Sequence, residues 1–190
     1  MERVKKWAIS IVVFIKRLFY YPKLVLEETN YDEYWLSKRG KNLGFANAWQ
    51  KQRGDWILSR IEEGSSVLDI GCGDGGVLIY MKSQKNFEAI GADISDICLN
   101  FLDSKRIKTL KFDINDFDSI KALPEVDYIM ILEVLEHMPN SEKFLNMIMP
   151  KAKKALFFSF PNSGYISYRL RLLFGAFPMQ WRIHPAEHLR

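Results

Sequence analysis

Cysteine and histidine are scarce in this chain of 190 residues, with two of the first and three of the second. Cys72 and Cys98 cannot make a disulfide framework, which excludes the small cross-linked secreted scaffolds and suits a reducing compartment. Long apolar runs are lacking too. The longest near the start, Trp7–Ile15, is broken by Ser10 and ended by Lys16-Arg17, whereas a helix that crosses a bilayer needs about 20 apolar residues. Lys16-Arg17-Leu18-Phe19 is also unlike the small-residue cleavage site of a secretory signal. Internal repeats and low-complexity tracts are missing. What is present is ordinary for a packed globule: 48% hydrophobic and 26% charged residues, in a length that suits one domain with an appended segment.

Charge is unevenly spread. Residues 1–24 hold six Lys/Arg against one acid, and residues 151–190 hold seven against one, so a net charge of +4 leaves −7 for the middle. The first segment, MERVKKWAISIVVFIKRLFYYPK (residues 1–23), places Trp7, Phe14, Phe19 and Tyr20 among Lys5, Lys6, Lys16, Arg17 and Lys23. Residues 1–24 therefore read as a helix of one of two kinds. One lies at a membrane surface, cations at anionic headgroups and aromatics at the acyl boundary. The other packs on its own domain or on a second subunit, as in a homodimer. Residues 25–64 read as an aromatic-rich helical lead-in, Tyr31–Trp35 and Ala46–Ile61, with the role of a lid.

From residue 65 to 190 short apolar runs alternate with helical stretches. Strands are predicted at Ser66–Ile70, Phe87–Ala92, Lys108–Phe112, Val126–Leu132 and Ala155–Phe160, and helices over Gly76–Ser83, over Ser95–Leu102 and from Ser141. Without hairpin signals between them, such strands make an α/β fold: a doubly wound, mostly parallel sheet with helices on both faces. Ligands of these sheets bind beyond the carboxyl ends of the strands, where the strand order reverses. Chemistry is therefore sought just after each strand.

The first strand runs into Asp69-Ile70-Gly71-Cys72-Gly73-Asp74-Gly75-Gly76. Its glycines permit a tight turn and close approach of backbone N–H groups to a ligand. Cys72, with no histidine adjacent in sequence, reads as a small filler rather than a nucleophile. Asp93 ends the second strand, where a carboxylate can accept both hydroxyls of a ribose. Asp113 ends the third, where a carboxylate can accept from the amine of an adenine. Each acid alone is equally a helix cap or loop residue; three successive strand ends suited to one nucleoside favour the binding reading.

VLDIGCGDGG (67–76), IGADIS (90–95), FDIND (112–116) and YIMILEVLEHMPN (128–140) resemble class I S-adenosylmethionine-dependent methyltransferases in order and spacing. The resemblance spans Ser65 to Pro161 and implies a Rossmann-like sheet that binds S-adenosyl-L-methionine. By it, Asp69, Gly71, Cys72, Gly73, Asp74 and Gly75 bind the methionine part, Asp93 and Ile94 the ribose, and Asp113 and Ile114 the adenine. Glu133 faces cofactor and acceptor. SFPNSGYISYRLRLLFGAFPMQW (159–181) is similar to the matching segment of MetW-type proteins and of methyltransferases in glycan assembly.

Methyl transfer from a sulfonium is an in-line displacement served by alignment and desolvation. His137 is the candidate general base, with Glu133 beside the reaction; a cap on the turn is the bland role for His137. Glu133, Glu136 and His137 also resemble a metal-binding cluster of some superfamily members, a minority reading beside no metal. The expected activity is methyl transfer to an oxygen of a small-molecule, glycan or lipid-linked acceptor, in the cytoplasm or at the inner face of the membrane. The alternative is a non-catalytic, MetW-like regulator of another enzyme. Lys151, Lys153, Lys154, Arg169 and Arg171 form the basic end, the arginines on an amphipathic helix closed by Gly175, but aromatic interleaving for nucleic acid is lacking. The sixth and seventh strands usual in this family are not evident. The chain is thus expected to be a short version of the fold or to stop before the domain does, with a fifth-strand edge open to pairing.

Overall fold

The elements follow from local chemistry. In the computed structural model, residues 30–162 and 164–175 are described. Asn30 caps helix α1 (Tyr31–Arg39), accepting from the Asp32 and Glu33 amides. Asn47 and Gln50 form a reciprocal capping box that starts α2 (Ala48–Leu58). The apolar run Ser66–Ile70 is strand β1, and Gly75, left-handed at φ 68°, turns the chain into α3 (Gly76–Gln84). β2 (Glu88–Asp93) is followed by α4 (Asp96–Ser104), capped by Ser95, and then by β3 (Lys108–Lys111). A 3-10 turn at Ser119–Ala122 leads into β4 (Val126–Leu132), a second one at Leu135–His137 into α5 (Ser141–Ile148), and a third at Met149–Lys151 into β5 (Ala152–Ser159).

All five strands are parallel, in the order β3-β2-β1-β4-β5. The order reverses between β1 and β4, which pair with Leu68 opposite Ile129. Two apolar layers cover the sheet. On one face Ile57, Leu58 and Ile61 of and just beyond α2 pack with Val77, Leu78 and Met81 of α3 over Val67, Tyr128 and Met130. On the other Phe144 and Ile148 of α5 pack over Leu68, Ile70, Ile129 and Ile131. At about 25 cal/mol per Å² these interdigitated layers supply the main drive to fold.

β5 begins three residues earlier than the apolar run alone indicated. Ala152 already pairs with Val126, and a register shift between Val126 and Tyr128 accommodates it. Pro161, which has no amide to donate, lies just past its end. Among the described residues the sheet has no further strand beyond β5.

The chain separates into two compact units, residues 29–160 and residues 1–28 with 161–190. In the second, α6 (Ile166–Leu173) ends at Phe174, with Gly175 at φ 72° beyond it, so the glycine-closed helix is present and starts before Arg169. The reading of residues 1–24 as a helix lies outside the described residues. Among those described, no helix is long and apolar enough to cross a membrane. In the first unit two cations of the basic end are bound to their own surface: Lys151 donates to the Lys121 and Leu123 carbonyls, and Lys154 pairs with Glu62 and Asp127.

Candidate functional site

At the carboxyl end of β1 the loop is held in shape by glycine. Gly71, Gly73 and Gly75 have φ of 70°, 53° and 68°, a region an L-residue enters at a cost of about 1–2 kcal/mol. A Cβ on Gly73 would lie 2.2 Å from the Trp35 ring, and one on Gly71 2.5 Å from Val134. Asp93 locks the loop from below. Its carboxylate accepts from the Gly73 amide (2.7 Å) and from the Ser95 amide (2.9 Å). Burial raises the Asp93 carboxyl, opposed by those two amides. Burial, with Asp93 nearby and Arg53 opposing, pushes Asp69 up to about 8.

α1 roofs this end. Asp32 accepts from the Ser95 hydroxyl (2.6 Å) and the Ile97 amide (3.2 Å), and Trp35 rests on Gly73. The Tyr31 hydroxyl is raised by burial and then by the charges of Asp93 and Asp113. Asp74 is buried and accepts from the Gly76 amide (3.3 Å). It pairs with Arg39 (3.1 Å) and accepts from the Gly44 amide (3.1 Å), an arrangement that ties α1 and its following turn to the loop. Asp113 accepts from the Asn115 amide (2.8 Å) and is half-buried. Ile94 is exposed beside Asp93, while Ile114 packs against the core. Cys72 is half-buried; burial, then Asp69 and Asp93, raise its thiol well above the usual value, which opposes thiolate chemistry.

The end of β4 is organised differently. Leu132 faces the α2 side, so strand alternation would send Glu133 to the other face. Glu133 instead has φ 58°, and its carboxylate meets α2: Arg53 Nη1 lies 2.6 Å from Glu133 Oε1. The Ser159 hydroxyl donates to the same oxygen (2.8 Å), and Arg53 Nη1 also reaches Ser159 Oγ (3.3 Å). Arg53 and Glu133 are 32% and 35% exposed, so this trio is open to an incoming molecule. Beside it an open pocket of about 80 Å³ is lined by Arg53, Trp56, Ile57, Leu132, Phe157, Phe158 and Ser159.

Glu136 and His137 follow on the 3-10 turn. Glu136 is buried, and burial followed by Glu133 pushes its carboxyl up to about 7, while His137 is half-buried. Among the described residues no three His, Cys, Asp or Glu side chains form a group that could hold a metal. Of the minority metal set Glu133, Glu136 and His137, Glu136 is buried and Glu133 is drawn to Arg53.

The structure thus brings Asp69, the glycine loop, Asp93 and Asp113 to one side of the strand ends, and Glu133 to the other. The strand-end rule passed over Ser159, although it closes β5 as Asp93 closes β2. Arg53 was hidden in a helix read only as a lid; its spacing of four from Trp49 and three from Trp56 puts it among aromatic residues on one helix face. Tyr31 and Trp35 of α1 had no motif to mark them.

Comparison with known proteins places this geometry. The family model described as methionine biosynthesis protein MetW matches residues 52–186. The chain is 30% identical over 98 residues to (S)-tetrahydroprotoberberine N-methyltransferase of Eschscholzia californica, covering 47% of this chain and 27% of that protein. It is 30% identical over 122 residues to the ubiquinone biosynthesis O-methyltransferase of Azoarcus sp. (strain BH72), covering 60% of this chain and 52% of that one. The chain thus spans between a quarter and about half the length of these relatives. Among solved structures, coclaurine N-methyltransferase bound to N-methylheliamine and SAH superposes with a TM-score of 0.53 at 21% identity, covering 66% of this chain and 42% of that chain, a likeness of fold.

Proposed function

Because the chain belongs to the MetW family, we propose that it binds S-adenosyl-L-methionine across the β1–β4 switch point and transfers its methyl group to an oxygen of a small-molecule or lipid-linked acceptor. The observation that supports this most is the division of the strand ends. A glycine loop with buried acids stands over β1–β3, and the half-exposed Arg53–Glu133–Ser159 trio stands over β4 and β5. The first group fits a nucleoside joined to a zwitterion: left-handed glycines let amides approach a ligand, and Asp93 and Asp113 end neighbouring strands. When bound, the cofactor supplies an electrophilic methyl on a sulfonium.

The chain's own residues then align and deprotonate the acceptor. Glu133 Oε2 accepts from no described residue, so it is the oxygen we assign to receive the acceptor's hydroxyl hydrogen. His137, on the turn after Glu133, is assigned to pass that proton on as general base. Val134, packed against Gly71, and the Trp35–Gly73 contact help to exclude water from the strand ends. Incubating the protein and labelled S-adenosylmethionine with cell extract and its membrane fraction tests the reading. A labelled product that needs the protein supports it, and none in either fraction counts against it.

The MetW match itself favours a second reading, a regulator without turnover that acts on a partner enzyme. Stoichiometric co-purification with another protein, with no labelled product, supports that reading. Contact of residues 1–24 with the inner membrane face, and a homodimer through them, remain parts of the proposal. Deleting residues 1–24 releases the protein from membranes if the first holds, and halves its mass in solution if the second does.

A further inference from the structure

We infer that the pocket between α2 and the end of β5 is the acceptor subsite and that it takes a planar aromatic ring bearing a hydroxyl, with Arg53 as the residue that selects it. The inference rests on the methyltransferase reading and names the substrate class for it.

The position comes from topology. The pocket lies beyond the carboxyl ends of β4 and β5, next to Glu133, and the glycine loop follows β1, the neighbour of β4. An acceptor here would enter over β4 and β5, beside and not over the strands that end in Asp93 and Asp113.

The chemistry comes from the walls. Leu132 and Ile57 are aliphatic, and Trp56 meets Phe157 edge to face at 5.9 Å and 87°, with Phe157 stacked on Tyr128 at 5.9 Å and 22°. The Arg60 guanidinium lies 3.6 Å from the Trp56 ring centre and covers one of its faces, which steadies a side chain that is 53% exposed. Only Arg53 and Ser159 bring polar side chains to this lining. A sugar entering it would leave most of its hydroxyls without partners, which is costly for each one buried. A flat apolar ring has no such cost and gains aromatic contacts. Glycan acceptors are therefore disfavoured.

The inner end provides for one oxygen. Arg53 Nη1 and the Ser159 hydroxyl both point at Glu133 Oε1, which leaves Oε2 open. Arg53 Nε is buried and has no hydrogen-bond partner among the described residues. A half-exposed carboxylate beside a guanidinium matches a hydroxyl, which both donates and accepts. In the reaction the sulfur–methyl bond breaks as the oxygen–methyl bond forms, the electron pair stays on sulfur, and the hydroxyl proton leaves to Glu133.

The test uses the full chain saturated with S-adenosylhomocysteine, titrated with catechol or with methyl glucoside and followed by tryptophan fluorescence and calorimetry. Saturable catechol binding is expected, with methyl glucoside at least tenfold weaker. Arg53→Gln and Trp56→Ala should each weaken catechol tenfold or more, with affinity for S-adenosylhomocysteine within threefold of wild type. Arg53→Lys and Trp56→Phe should restore part of the loss, which separates recognition from misfolding, as does an unchanged thermal melt. Equal binding of the two probes, or wild-type catechol affinity in Arg53→Gln, overturns the inference. Binding of S-adenosylhomocysteine without catechol overturns the subsite and leaves the methyltransferase reading standing. Failure to bind S-adenosylhomocysteine overturns that reading, and the subsite with it.

Discussion

The two halves of the strand-end surface solve different problems. Over β1 and β2 the acids are buried and bonded to the protein itself: Asp93 holds the Gly73 and Ser95 amides, and Asp74 holds the Arg39 side chain and the Gly44 amide. Over β4–β5 the charges are half-exposed, come from α2 and the turn after β4, are joined by Ser159 of β5, and border an open apolar pocket. The first half is built to hold one shape, the second to admit a variable ligand. The sheet edges differ as well. β3 is four residues long with exposed Lys108 and Lys111 at its ends, whereas β5 runs for eight, and its exposed Phe158 meets Phe160 just past its end. Lysines on an edge deter pairing, and β5 carries exposed Lys153 and Lys154 in its first half.

The largest effect that would break this contrast is at Asp93. Asp93→Ala strands two buried amides, each bond to a charged group being worth about 1.5–3 kcal/mol. Affinity for S-adenosylhomocysteine should fall about 100-fold or more by calorimetry. Next comes Gly73→Ala, where strain at φ 53° adds to the collision with Trp35. Chemical denaturation should show a loss of about 2–3 kcal/mol, and Trp35→Ala in the same chain should recover the part due to collision.

The opposite half is probed by Glu133→Gln and His137→Ala. Each should lower turnover about 100-fold while leaving affinity for S-adenosylhomocysteine within threefold. If either abolishes cofactor binding, the division fails.

A smaller effect is the pH dependence of stability. Burial raises Asp69 to about 8 and Glu136 to about 7. Between the ordinary carboxylate range near 4 and those values, the unfolded chain has lost the protons that the folded chain keeps. Their contribution to stability is therefore full below about pH 4 and is lost as pH rises to 7–8. Urea unfolding from pH 5 to 9 should show Asp69→Asn with a shallower decline than wild type. Smallest of all is Lys111→Ala, which removes a surface pair with Asp96, both more than half exposed. It should change stability by no more than about 0.5 kcal/mol.

Legibility in the sequence follows the same boundary. The five strands and the glycine loop could be read because burial on both faces gives continuous apolar runs, and because a left-handed turn needs glycine. The positions of Asp93 and Asp113 at the strand ends could be read because they are fixed by the strands that precede them. Arg53 and Ser159 stand 80 and 26 residues from Glu133, and only the packing of α2 against the end of β5 joins them. Glu133 meets them through a left-handed φ that no glycine announces. Nothing in the sequence around Asp74 marks its pairing with Arg39 and Gly44, which lie 35 and 30 residues before it.

The central claim is that cofactor and acceptor are held by separate halves of the strand ends. Calorimetry with S-adenosylhomocysteine on wild type, Asp93→Ala and Arg53→Gln tests it most directly. The account predicts that Asp93→Ala loses at least 100-fold in affinity while Arg53→Gln stays within threefold of wild type. Equal losses in the two variants, or a loss in Arg53→Gln alone, would contradict it.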